Sequence, residues 1–375
     1  MKMPNVQSKA IIQELFESAG ITCNGDKPCD IRIHNEDFYD RVLQGTAMGL
    51  GESYMDGWWD CEALDEFICR ILCTRLQQKV KPDWKQTCHI LKSKLLNLQT
   101  LQRAFEVGRK HYDIGNDLYQ AMLDKRMVYT CGYWKNASDL NEAQEAKLDL
   151  ACRKMKVEPG MKILDLGCGF GSFAKFAAEK YGAEVTGVTV SKKQWELGKK
   201  QCQGLPVQLR LDDYRNVGGT YDRVLSIGIL EHVGYKNYRT YFQKTDECLK
   251  DDGLAFVHTI GSNFSRVTCN RWINTYIFPN SMLPSIAQIG RAMEGLFVME
   301  DWHNFGEDYD RTLMAWYRNF EAAWPELRKS YDGRFYRMFR FYLLGCAGTF
   351  RARDIQLWQI VMTKPGHPQP ECRFI

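Results

Sequence analysis

The sequence predicts an α/β fold: a doubly wound sheet preceded by a small α+β unit. Three observations predict it. From about residue 140, helix-like and strand-like stretches alternate. The first strand of that run enters a glycine-rich loop, MKILDLGCGFG at 161–171. The chain has 375 residues, more than one typical domain, so two are expected.

In the first part, taken as 1–85, Ile11–Ser18 reads as a helix ended by Gly20, a residue suited to the left-handed cap. Ile31–His34 alternates like a short strand, and Phe38–Gln44 and Leu64–Leu76 have helical spacing. Between those helices lies GLGESYMDGWWDC, 49–61, rich in glycine and aromatics. Leu91, Leu95 and Leu98 mark a linker helix at 86–105. The catalytic part, 106–375, then follows. Ala143–Met155, Phe173–Lys180, Lys193–Gln203 and Tyr238–Leu249 read as helices. The strands are AEVTGVTVS, VQLRLDD, YDRVLSIGILEHV (a strand with its loop) and GLAFVHTIG. An aromatic-rich insertion around 262–330 interrupts the alternation.

Composition excludes several classes. Fifty basic against 46 acidic residues leave a net charge of +4, which gives no case for a nucleic-acid partner. No run approaches the roughly 18 apolar residues of a membrane span, and the N-terminal stretch has no signal-peptide core. A cytoplasmic location with peripheral membrane contact is expected. The 14 cysteines are scattered and read as reduced, mostly buried side chains. Cys69 and Cys73 begin a CxxxCxxC pattern, but Leu76 stands at the third ligand position, so no metal site is expected.

The loop is the first chemical signal. Asp165, Gly167, Cys168, Gly169 and Gly171 lie at a strand-to-helix junction, where glycine lets backbone approach a ligand. The spacing is not that of the dinucleotide fingerprint. Thr189 stands where a ribose-binding acid is expected at the end of the second strand. S-adenosylmethionine (SAM) fits better. It carries a sulfonium and an amino-acid tail and needs acceptors rather than a phosphate cradle. Asp165 orients the loop, Gln194 replaces the ribose carboxylate, and Asp213 and Tyr214 follow the third strand toward the adenine.

Long strings in order carry a resemblance over nearly the whole chain. They are GLGESYMDGWWDC, HYDIGNDLY, VYTCGYW, LDLGCGFG, LEHVG, HTIGS, EDWHNFGEDYDRTLMAWY and CAGTFRARDIQLWQ. The sequence resembles bacterial cyclopropane-fatty-acyl-phospholipid synthases and, in its catalytic part, the related mycolic acid cyclopropane synthases. Phe170 and Ser172 depart from the Trp and Gly common in that family. The resemblance implies a class I SAM-dependent methyltransferase domain of Rossmann-like fold and an N-terminal lipid-binding domain. It implies a bicarbonate ion held by Cys131, Glu231, His258, the backbone of Ile260, and Tyr309. Tyr129 and Thr130 would touch SAM, and Cys346 is a further candidate. It also implies a homodimer acting on unsaturated acyl chains of a phospholipid membrane.

That chemistry makes two demands. Methyl transfer to an alkene leaves a carbocation, so water must be excluded. A proton must then leave the new methyl, so a base must stand close by. Thiol, imidazole and phenol donors beside a carboxylate suit a small oxyanion. Tyr133, Trp134, Trp272, Tyr276, Phe278 and Tyr309 are candidate rings for the cation. Tyr54, Met55, Trp58 and Trp59 are candidates for lipid capture. A small-molecule amine methyltransferase and a non-catalytic lipid carrier are the competing readings.

Overall fold

The structure, a computed structural model, describes residues 6–75 and 115–374; the linker expected at 86–105 lies outside them. The described chain forms two compact units.

The sheet unit gathers 115–267, 280–308 and 356–374. Its strands are β3 (Lys162–Leu166), β4 (Glu184–Thr189), β5 (Val207–Leu211), β6 (Tyr221–Ile227), β7 (Leu249–Ser262), β8 (Val298–Asn304) and β9 (Ile355–Thr363). They lie in the order β5-β4-β3-β6-β7-β9-β8. The first five pair in parallel, and β8 and β9 pair antiparallel. Helices α4 (Asn116–Met122), α5 (Leu140–Lys154), α6 (Ser172–Tyr181), α7 (Lys192–Gln201), α8 (Leu230–Val233), α9 (Tyr238–Cys248) and α11 (Ile286–Met293) complete the unit.

Successive strand residues feed opposite cores, as a period of two requires. Ile163, Leu225, Phe256 and Val361 pack with Ala151 of α5 and Phe173 of α6. Their neighbours Leu164, Val224, Ala255 and Ile360 pack with Tyr241 of α9 and Ile289 of α11. With both faces covered, the strands read as the near-continuous apolar runs that made them legible. The strand order reverses between β3 and β6. Open α/β sheets place ligands at the carboxyl ends of the strands flanking such a reversal.

The helical unit gathers 6–75, 268–279 and 309–355. It contains α1 (Val6–Glu17), α2 (Phe38–Met55), α3 (Leu64–Cys73), α10 (Arg271–Tyr276), α12 (Glu307–Leu327, beginning in the sheet unit) and α13 (Gly333–Arg351). A two-residue pair, β1 (Arg32–Ile33) with β2 (Trp59–Asp60), completes it. The boundaries expected at 85 and 105 lie outside the described residues; among those described, 268–279 and 309–355 join the N-terminal residues in this unit. The cause is the apolar face of α13: Phe341 meets Tyr54 at 5.6 Å and Trp272 at 4.8 Å between ring centroids.

Two local expectations change. The glycine-rich stretch after residue 44 continues α2 through Met55, with a kink at Thr46 where φ is 49° and ψ −127°. Trp59, Tyr54 and Met55 are core residues rather than a lipid-facing set: Trp59 is 0% exposed, against Tyr54 at 5.0 Å and Phe67 at 5.3 Å. Trp58 alone of the four is half-buried, its ring under the Arg41 guanidinium at 4.5 Å. No helix among the described residues is long and apolar enough to cross a membrane.

Candidate active site

The glycine loop leaves β3 at the reversal. Gly167 has φ +94°, and a Cβ there would lie 2.0 Å from Ile229 Cδ1, so only glycine brings the loop against the segment after β6. Gly228, φ +74°, repeats the device: its missing Cβ would stand 3.0 Å from Thr130 Cγ2. The Gly228 N–H donates to His258 O at 2.9 Å. The ends of β3, β6 and β7 and the segment 128–131 are thereby joined.

Cofactor candidates fall around that junction. Asp165 is 2% exposed, and burial pushes its carboxyl up to about 7 against the opposing pull of Lys147. Cys168, Gly169 and Gly171 form the turn into α6, with Gly171 as its N-cap. Thr189 Oγ1 donates to Gln194 Oε1 at 3.2 Å, and the Ser191 hydroxyl caps α7 by accepting from Gln194 N. Asp213 is engaged at both oxygens by Arg215, at 2.7 and 2.8 Å. Tyr214 is partly buried, edge-on to Tyr241 at 5.8 Å. Tyr129 meets Tyr119 edge-on at 5.1 Å, and Tyr119 in turn meets Phe170 of the loop at 6.1 Å.

The candidate base site occupies the same end of the sheet. Glu231 lies on the short helix α8, one step beyond the strand end that the sequence suggests, because Gly228 turns the chain out of β6. Its Oε1 accepts from Ile260 N at 2.7 Å, so Ile260 enters through its backbone. Among the described residues its Oε2 is buried without a hydrogen-bond partner, and so is Nε2 of His258. Burial pushes the Glu231 carboxyl up to about 7. Burial, with the Lys147 and Lys154 charges, holds His258 well below its ordinary value, so its imidazole is neutral. Cys131 is 0% exposed, its thiol donating to Gly132 O at 3.1 Å. Cys131, Glu231, His258 and Ile260 thus belong to the sheet unit.

Tyr309 and Cys346 belong to the helical unit. Tyr309 lies tilted against Phe350 at 4.5 Å and meets Trp316 edge-on at 6.0 Å. Cys346 sits on α13, where burial pushes its thiol up to about 12, leaving almost no thiolate at neutral pH. Of the candidate rings, Tyr133 and Trp134 are in the sheet unit, whereas Trp272, Tyr276 and Phe278 pack within the helical one. There Tyr276 donates to Glu52 Oε1 at 2.8 Å, and Phe278 meets Tyr342 at 5.7 Å.

Four neighbours of the site are not among the residues the sequence pointed to. Lys147 on α5 is 0% exposed and donates to Thr130 Oγ1 at 2.9 Å. One turn earlier, Gln144 donates to Thr130 O at 2.7 Å. The signal was available: Ala143, Lys147, Ala151 and Lys154 lie at helical spacing on one buried stripe. Phe305 lies between Tyr133 at 5.4 Å and His258 at 6.0 Å. Gln359 on β9 faces His258, and nothing in the local sequence marks it.

Comparison with known proteins gives the family and the fold. The family model described as mycolic acid cyclopropane synthetase matches residues 99–360. The chain is 50% identical to the cyclopropane-fatty-acyl-phospholipid synthase of Escherichia coli (strain K12), over 97% of this chain and 95% of that protein. Among solved structures, the cyclopropane synthase MmaA2 from Mycobacterium tuberculosis superposes with TM-score 0.67 at 28% identity, covering 72% of this chain and all (100%) of the other. Mycolic acid cyclopropane synthase CmaA1, complexed with SAH and CTAB, gives TM-score 0.65 at 29% identity, covering 69% and 98%. A coclaurine N-methyltransferase at 23% identity shares the fold alone. The chain belongs to the mycolic acid cyclopropane synthetase family, within the SAM-dependent methyltransferases.

Proposed function

We propose that this enzyme transfers a methylene from SAM to the cis double bond of unsaturated acyl chains in membrane phospholipids, with a bound bicarbonate ion as base. The observation that carries the reading is a pair of orphaned buried atoms, Glu231 Oε2 and His258 Nε2, at the sheet end that also holds the SAM loop. A buried polar atom without a partner costs on the order of 1–3 kcal/mol, so a small ligand carrying both donor and acceptor groups fits there. Bicarbonate is such a ligand, and when bound it supplies the base that takes the proton from the new methyl.

The chain's own residues do the rest. His258, neutral, donates from its ring toward the oxyanion. Glu231, its other oxygen held by the Ile260 N–H, accepts a hydroxyl proton. Cys131 adds a thiol donor and, by the resemblance, Tyr309 a phenol. Asp165, Gly167, Cys168, Gly169, Gly171, Thr189, Gln194, Asp213, Tyr214, Tyr129 and Thr130 hold SAM. The methyl moves from sulfur to one alkene carbon, leaving S-adenosylhomocysteine and a carbocation on the neighbouring carbon. Loss of a proton from the new methyl lets its electron pair close the ring, a net gain of CH₂. The aromatic wall of Tyr133 and Phe305 keeps the site dry and offers π faces to the cation. Peripheral membrane contact and a homodimer complete the proposal.

The test is an assay with SAM and vesicles of unsaturated phospholipid, in carbonate-depleted buffer with and without added bicarbonate. A cyclopropane product whose rate rises with bicarbonate is expected. Activity on an amine with no change in the lipid overturns the substrate assignment, and turnover indifferent to bicarbonate overturns the base.

A further inference from the structure

His258 has two faces. Its Nε2 is one of the two buried atoms of the site without a partner among the described residues, and its Nδ1 faces the side-chain amide of Gln359 at 3.4 Å. Gln359 is 0% exposed on β9, the strand next to β7. The amide nitrogen is the atom presented to the ring, while the amide oxygen points elsewhere and has no partner among the described residues.

A neutral imidazole carries one N–H and one lone pair, and an amide NH₂ can only donate. With that group against Nδ1, the lone pair belongs on Nδ1 and the proton on Nε2. Reversing the assignment would set two N–H donors against each other in a buried place.

We propose that Gln359 is a positioning residue whose amide fixes the proton of His258 on Nε2, the nitrogen that faces the oxyanion site. The inference rests on the proposed oxyanion chemistry for its purpose, but the tautomer itself can be read separately. The opposite tautomer would offer the anion a lone pair, which repels it.

The experiment is long-range ¹H–¹⁵N correlation on the full-length protein with ¹⁵N-labelled histidine, in bicarbonate-free buffer. The His258 resonances are assigned by their loss in His258→Gln. In wild type, a protonated Nε2 and a bare Nδ1 are expected. In Gln359→Glu the carboxylate accepts from Nδ1, so Nδ1 becomes protonated. Turnover then falls at least tenfold with the KM for SAM within twofold of wild type. Gln359→Leu, which removes the partner without inverting it, gives a mixture of tautomers and a smaller loss.

A proton on Nδ1 in wild type overturns the proposal, and that measurement needs no variant to fold. An unchanged tautomer in both variants overturns it as well. If wild type shows the Nε2–H form and Gln359→Glu inverts it, yet turnover ignores bicarbonate, the oxyanion reading fails while the tautomer control stands.

Discussion

Lys147 Nζ lies 2.9 Å from Thr130 Oγ1, a fully buried ammonium bonded to the residue beside Cys131. Burial brings its pKa down to about 8, with Asp124, Cys131 and Asp165 pulling the other way, so it stays charged at neutral pH. A buried charge with one neutral hydrogen bond is expensive unless negative groups stand near. Lys147 therefore holds the 128–131 segment through Thr130 while its charge acts on the glycine-loop acid Asp165. Lys147→Met is expected to weaken SAM binding roughly 10- to 100-fold, the range for one hydrogen bond to a charged group. Titration calorimetry with S-adenosylhomocysteine checks it, and an unchanged Kd rules it out.

Glu231→Gln keeps an oxygen for the Ile260 N–H but loses the carboxylate. Turnover on lipid vesicles is expected to drop by roughly 100-fold or more, within the span of general acid–base effects. SAM affinity should change less than about twofold. Equal losses in both would remove Glu231 from the base site.

The same substitution carries a pH signature. Burial holds Glu231 up to about 7, above its value of roughly 4.3 in an unfolded chain. Folding therefore takes up a proton between those values, and stability falls as pH rises through about 7. Wild type should lose on the order of 1–3 kcal/mol between about pH 5 and pH 8 relative to Glu231→Gln. Urea midpoints at the two pH values measure it; a gain for wild type would contradict the assignment.

Lys154 and Asp301 form an ion pair at 2.9 Å, with side chains 0% and 2% exposed, and Arg373 adds a second contact at 3.2 Å. Breaking such a pair from one side leaves a buried charge and costs about 3–5 kcal/mol. Asp301→Asn should destabilise more than Lys154→Met, because two cations converge on the carboxylate. Denaturant unfolding of both variants decides the order.

Trp59 and Trp58 are adjacent in sequence and opposite in role. Trp59→Ala is expected to cost about 3–5 kcal/mol, as for other buried tryptophans. Trp58→Ala should cost no more than about 1 kcal/mol, the scale of its contact with Arg41. If the helical unit captures lipid through this surface, only Trp58→Ala lowers vesicle sedimentation without lowering the unfolding midpoint.

The inner parallel strands were legible as apolar runs bounded by turn residues, and the edge strand β5 by its alternation, with Gln208 and Arg210 exposed. The loop at Asp165 was legible because glycine is needed where backbone approaches backbone. Strands β8 and β9 were not. VMEDWHN carries acids and a histidine at strand positions, and Asp301 is buried because Lys154 and Arg373 neutralise it. The same cause hid Lys147: a lysine on a helix reads as solvent-facing until its partners are known. Cys131, Glu231 and His258 were reached through long shared strings rather than spacing. Gln359 lay inside one of those strings and still gave no signal, because a tautomer is decided by a contact across 101 positions of chain.

The place of β9 bears on how the protein is made. It lies between β7 and β8, yet among the described strands it leaves the ribosome last. Until residues 355–363 emerge, β7 offers a bare edge flanked by the apolar Ala255, Phe256 and Val257, the sort of surface that invites intermolecular pairing. A nascent chain stalled before that point would hold a finished cofactor loop and an unsupported histidine. It is the species that chaperones would have most reason to shield.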